Sequence, residues 1–163
     1  MSKSTLKLIR NEIVNVAFDV SAYTLNWTVI LPDDSERHGE CPNDTDGITS
    51  TLYSIQKMVD RFMGATCELR VICESTGVYH RALLRLAGQL GMRTNLVSGE
   101  AVAHSRRMTQ NDGNKTDLAD PKAILTVARV GKLIRHRKLE DGWSELRELH
   151  RIVIVTEQKI QMI

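Results

Sequence analysis

The chain has 163 residues and 18.4 kDa, enough for one ordinary domain, with 42% hydrophobic residues to build its core and a net charge of only +2. No run of 18 apolar residues is present and the first residues carry no apolar stretch with a small-residue cleavage site, so neither a membrane span nor a signal peptide is expected and a cytoplasmic protein is. Aromatic residues make up 4% of the chain, which excludes a base-stacking RNA platform, and Cys41, Cys67 and Cys73 form no CxxC pair and read as core thiols.

Residues 12–20 form a near-continuous apolar, β-branched run, the pattern of a strand buried on both faces. Residues 24–31 predict a second strand, stopped by Pro32-Asp33-Asp34, and 35–41 a polar third strand at an edge. The link at 21–23 is too short for a crossover, so strands one and two are antiparallel neighbours. From Asp46-Gly47 to about Met63 the spacing of Ile48, Leu52, Ile55, Val59 and Phe62 predicts a helix. A fourth strand covers 67–73. After the Ser75-Thr76-Gly77 turn comes a helix over 78–90, with Leu83, Leu84, Leu86, Ala87 and Leu90 inward and Gly91 as its terminator.

Residues 92–97 predict a fifth strand. The polar stretch 105–116, with its breaker Asn111-Asp112-Gly113-Asn114, predicts a mobile loop, and a helix follows to about Val130. From Trp143 a last helix carries Leu146, Leu149, Val153, Thr156, Ile160 and Ile163 at alternating spacings of three and four. Such a coiled-coil-like seam needs a partner, so the chain is expected either to continue into a further domain or to form homo-oligomers through this helix. The predicted fold class is therefore α/β: a mixed five-stranded sheet of the ribonuclease-H-like order, flanked by helices, with a C-terminal coiled-coil-like helix. The expected division is a catalytic domain over 12–138 and the helical segment 143–163.

Four carboxylates stand out against this frame. Asp19 and Glu74 end strands one and four, which the order β-β-β-α-β-α-β places side by side at the sheet centre, and ligands in such sheets collect at the carboxyl ends of strands. Asp117 and Asp120 are three apart and share a helical face, although Thr116 as a cap and Pro121 as a first-turn residue put the helix start at either aspartate. Carboxylates gathered at strand tips are costly without positive charge, and hard oxygen ligands suit Mg²⁺ or Mn²⁺. Two such ions about 4 Å apart serve phosphodiester chemistry. Residues 99–138 hold nine Lys/Arg against four Asp/Glu, whereas 1–98 hold ten against eleven. The basic excess thus surrounds the candidate site, with Arg106, Arg107 and Lys115 as candidate phosphate contacts.

The phrases Ala17-Phe18-Asp19-Val20-Ser21, Glu74-Ser75-Thr76-Gly77-Val78-Tyr79 and Asn114-Lys115-Thr116-Asp117-Leu118-Ala119-Asp120 together resemble the N-terminal, RuvC-like domain of DEDD insertion-sequence transposases, relatives of the Piv DNA invertase. The resemblance spans about 12–163. It implies that Asp19, Glu74, Asp117 and Asp120 are the acidic tetrad that binds divalent metal. It also implies that the partner is DNA, in some members with an element-encoded guide RNA, and that a C-terminal domain with a strand-transfer serine follows the coiled coil. One departure is Pro121, where the family has a small residue such as alanine. Two rival readings follow from the residues: a sugar-kinase or actin-like ATPase half-domain, which lacks its glycine-rich loop at Ser21-Ala22-Tyr23-Thr24, and a non-catalytic nucleic-acid-binding remnant that dimerises.

Overall fold

The β-branched run Ile13–Val20 forms the central strand β1 of a six-stranded sheet, β3-β2-β1-β4-β5-β6. The computed structural model describes residues 13–64, 67–75, 77–109 and 119–136 and positions 146, 149, 150, 153 and 154, with backbone alone at 109, 119 and 120. β1 turns through a tight hairpin, in which the Ser21 amide donates to the Thr24 carbonyl (2.9 Å), into the antiparallel β2 (Thr24–Ile30). A second turn, closed by the Ser35 amide donating to Asp33 Oδ1 at 2.9 Å, leads to β3 (Glu36–Pro42), the polar edge. The short link between β1 and β2 thus has the consequence read from sequence.

The helix α1 (Thr45–Met63) starts one residue before the expected Asp46, because the Asp44 carboxylate caps it by accepting from the Gly47 amide at 2.7 Å. Gly64, at φ 65°, ends it. Ile48, Leu52, Ile55 and Val59 are buried as the spacing predicted, but Phe62, in the last turn, is 43% exposed, lining an open cleft with Leu31, Arg37 and Met58. β4 (Glu68–Glu74) then pairs with β1 in parallel, α2 (His80–Gln89) returns over the same face as α1, and β5 (Arg93–Val97) pairs with β4 in parallel. Leu83, Leu84, Leu86 and Ala87 point inward, and Gly91, with φ 77°, lies just past the helix end.

Two expectations are corrected at this point. Residues 105–109 are not loop: they belong to α3 (Gly99–Thr109), which packs on α4 with Val102 and Ser105 buried, a tertiary effect that outweighs the local polarity. The rest of the predicted loop, 110–116, lies outside the described residues. The sheet also has six strands rather than five, because Ile134–Arg135 adds a two-residue β6 antiparallel to β5. Between α3 and β6, α4 spans Ala119–Arg129; the two possible helix starts read from sequence, at Asp117 or nearer Asp120, involve residues outside the described ones.

The helices divide between the two faces of the sheet. Val14, Val16, Phe18, Leu69, Val71 and Cys73 pack with α1 and α2 in one core, while Ala17, Ile72 and Val97 pack with Val102 of α3 and Ala123, Ile124, Val127 and Ala128 of α4 in a second. The central strands are buried on both faces, as their unbroken apolar runs require. Together the topology and this layering are ribonuclease-H-like. Of the C-terminal helix, Leu146, Leu149 and Val153 are described as helical and exposed; the remaining seam positions, Thr156, Ile160 and Ile163, lie outside the described residues.

Candidate metal centre

Side chains alternate faces along a strand, so the two cores fix where each strand-borne polar group points. Asp19 shares the parity of Ala17, and Glu74 that of Ile72, and both Ala17 and Ile72 lie in the core beneath α3 and α4. Parallel pairing of β1 with β4 runs to Phe18 opposite Cys73, which makes Asp19 and Glu74 the next residues of neighbouring strands. Both therefore project from the carboxyl edge, on one face, about one strand spacing (~5 Å) apart. The same rank continues outward through Asn26, paired with Asp19, to Glu40, paired with Asn26. Cys41 lies in the opposite core, so Glu40 shares the face of the two acids.

Two carboxylates at that spacing repel by about 3 kcal/mol at an effective dielectric of ~20. Arg106 of α3 supplies positive charge there. Its Nη2 lies 3.6 Å from Glu74 Oε2, with the two side chains 29% and 16% exposed. Arg106 was read from sequence as a phosphate contact; its guanidinium lies on a carboxylate of the candidate site. Arg107 is exposed, and its Nε donates back to the Ala103 carbonyl at 3.4 Å.

Below the acids, burial pushes the Cys73 thiol up to about 12, with the negative charge of Glu74 acting in the same direction, so this cysteine is an inert core thiol. All three cysteines are buried, as expected of core thiols.

The other two predicted ligands come from the segment entering α4. This helix packs across β1 and β4 and against α3, on the face from which Asp19 and Glu74 project. A Lys122–Glu36 ion pair ties it to β3. The Asp120 backbone is part of α4, whereas the Asp120 side chain, Asp117 and Lys115 lie outside the described residues. Among the described residues no group of three or more His, Cys, Asp or Glu side chains is placed to hold a metal, and the described carboxylates at the sheet edge are the Asp19–Glu74 pair and the more distant Glu40. The chemistry of this donor set nonetheless fits Mg²⁺ or Mn²⁺: hard carboxylate oxygen atoms, partly buried, at the ends of adjacent strands. Asn26 was not singled out by sequence reasoning. Nothing in its local pattern marks it, and only the β1–β2 register brings it beside Asp19.

A family model described as a transposase, of the DEDD type named for the element IS110, matches residues 16–155. The chain belongs to this family of DEDD transposases. Structural comparison finds the RuvC of Thermus thermophilus in complex with a Holliday junction substrate, at 14% identity and a TM-score of 0.48 over 76% of this chain and 99% of that one. A second Thermus thermophilus RuvC structure aligns at 14% identity and a TM-score of 0.47, over 74% and 98% of the two chains. An Aquifex aeolicus member of the Ppx/GppA family aligns at 12% identity and 0.37, covering 59% of this chain and 39% of that one. No curated protein matches the sequence. Among the described residues of this transposase no helix is long and apolar enough to cross a membrane.

Proposed function

We propose that this chain forms, over 12–138, the catalytic domain of a DNA transposase that cleaves and transfers DNA strands with divalent metal. Asp19, Glu74, Asp117 and Asp120 would hold Mg²⁺ or Mn²⁺, as two ions. When bound, the metal supplies activation of the attacking oxygen and charge stabilisation at the leaving one. The observation that carries this reading is the placement of Asp19 and Glu74 at the ends of adjacent parallel strands, on the face covered by the helix that contains Asp120. Family membership supports DNA as the substrate. Arg106, Arg107 and Lys115 we read as contacts for the phosphate backbone.

The segment 143–163 we read as a separate helix through which copies of the chain associate, supported by exposed Leu146, Leu149 and Val153 at helical spacing. An element-encoded RNA guide, as in some family members, belongs to the same proposal. The rival reading as a non-catalytic remnant rests on Pro121 and the C-terminal helix; the adjacency of Asp19 and Glu74 at neighbouring strand ends favours the catalytic reading over it. The ATPase reading lacks a phosphate loop, for β1 leads into a tight hairpin closed between Ser21 and Thr24.

The test is Asp19→Asn and, separately, Glu74→Gln in the intact transposase. Each is expected to lower Mg²⁺-dependent strand cleavage by roughly a hundredfold or more while leaving the circular dichroism spectrum unchanged. Wild-type rates in both variants would overturn the mechanism.

A further inference from the structure

The geometry points to Arg106 as the resident counter-ion of Glu74, which must release that carboxylate before it can ligate a divalent cation. The inference rests on the reading of Glu74 as a metal ligand and adds to it an exchange: guanidinium out, metal in. Three observations carry it. The Arg106 Nη2 to Glu74 Oε2 separation is 3.6 Å, and both side chains are more than two-thirds buried, so solvent screens the pair less than it would a surface one. The turn of α3 that leads into Arg106 is anchored, since Val102 and Ser105 are buried, while Arg107 and Met108 beyond it are exposed. The next residue in the chain behaves differently. Arg107 is exposed and directed along its own helix, so proximity in sequence does not explain the pairing.

The consequence is a residue with two sequential partners. In the metal-free protein Arg106 neutralises part of the acidic site and keeps the strand ends together. Once metal takes Glu74, the same guanidinium stands at the edge of the site with its planar fork available for a phosphate oxygen. Metal loading and grip on the nucleic-acid backbone are then coupled through one side chain.

Mn²⁺ binding, followed by the electron paramagnetic resonance signal of the free ion, tests this on the whole chain. Arg106→Gln removes the competing charge but keeps the stem, and its Kd for Mn²⁺ should fall about tenfold. Arg107→Gln removes an equal charge one residue away and should change Kd by less than about twofold at 0.15 M salt. Equal effects of the two substitutions would show a general field effect and overturn the counter-ion assignment. No saturable Mn²⁺ binding by either the wild type or Arg106→Gln would instead overturn the metal reading of Glu74. A second measurement needs no substitution: on titrating the wild-type protein with Mg²⁺, the Arg106 Nε–H resonance should shift while that of Arg107 stays. An unmoved Arg106 signal at saturating Mg²⁺ rejects the exchange.

Discussion

Enlarging Ala17 to leucine should separate the stability of this domain from the assembly of its metal site. Ala17 is fully buried beneath α4, in a core that includes Ala123, Ile124 and Ala128, so the helix lies close over β1 only because small side chains meet there. Three added carbon atoms have no space, and overpacking of this kind costs about 1–3 kcal/mol. The strain falls on the contact between β1 and α4, the contact that relates Asp19 to the segment bearing Asp120. A ligand set displaced by about 1 Å loses geometry that Mg²⁺, with its strict octahedral demand, does not forgive. We therefore expect Ala17→Leu to weaken Mn²⁺ binding at least tenfold while the urea midpoint shows only that modest loss of stability. The comparison is Ile55→Ala, on the opposite face in α1 and 1% exposed, which costs about 2–5 kcal/mol and leaves β1–α4 packing intact. If Ile55→Ala weakens metal binding as much as Ala17→Leu does, or if Ala17→Leu binds Mn²⁺ like the wild type, the argument from face and parity fails.

Other expectations concern the edge strand and the core. His136 follows β6, with Nδ1 3.3 Å from Thr94 Oγ1, and burial together with nearby His80 pushes its pKa below the usual 6.5. The folded state then binds fewer protons than the unfolded one, so the stability this histidine contributes is present above about pH 6.5 and lost as pH falls through the window below it. Amide exchange at Leu96 and Ile134, corrected for its intrinsic rate, should quicken between pH 7.5 and 5, and His136→Gln should flatten that dependence; equal protection at both pH values contradicts the assignment. Cys73, buried and raised to about 12, should resist iodoacetamide at pH 8 in the native protein and react only in denaturant. Rapid native labelling at Cys73 would mean the strand interior opens far more readily than its packing implies.

What could be read in the sequence was whatever depends on one strand or one helix at a time. The unbroken apolar runs ending at Asp19 and Glu74, the two-residue alternations around them and the three-residue link after Val20 gave strand positions, and with them the parallel pairing of β1 and β4. Asp44 as a cap, Phe62 as an exposed end and the two-residue β6 lay at element boundaries, where local pattern carries least information. The extension of α3 through 105–109 was hidden for a different reason: its helical state goes with packing on α4 and burial of Val102 and Ser105, whereas the neighbouring breaker at 111–114 dominates the local signal. Asn26 beside Asp19 and Arg106 over Glu74 depend on register and on a helix crossing, neither of which any single stretch of sequence encodes.

The division of the two cores bears on why the candidate acids sit where they do. The core under α1 and α2 is the larger and contains the bulky side chains Phe18, Leu25, Leu52, Leu69 and Leu83. Among the described residues the core under α3 and α4 is smaller and combines Ala17, Ala123 and Ala128 with Ile72, Val97, Val102 and Ile124. Hydrophobic burial scales with apolar area, so most of the stability of the domain resides on the face away from Asp19 and Glu74. That arrangement lets the functional face carry charge that opposes folding, because repulsion of about 3 kcal/mol between two carboxylates is tolerable only where another core holds the strands in place. Arg106 offsets part of that repulsion in the metal-free protein without filling the site with apolar atoms. A strand pair anchored on one face and strained by charge on the other is preorganised for cations: the ligands are already adjacent, and the cost of bringing them together has been met by packing elsewhere.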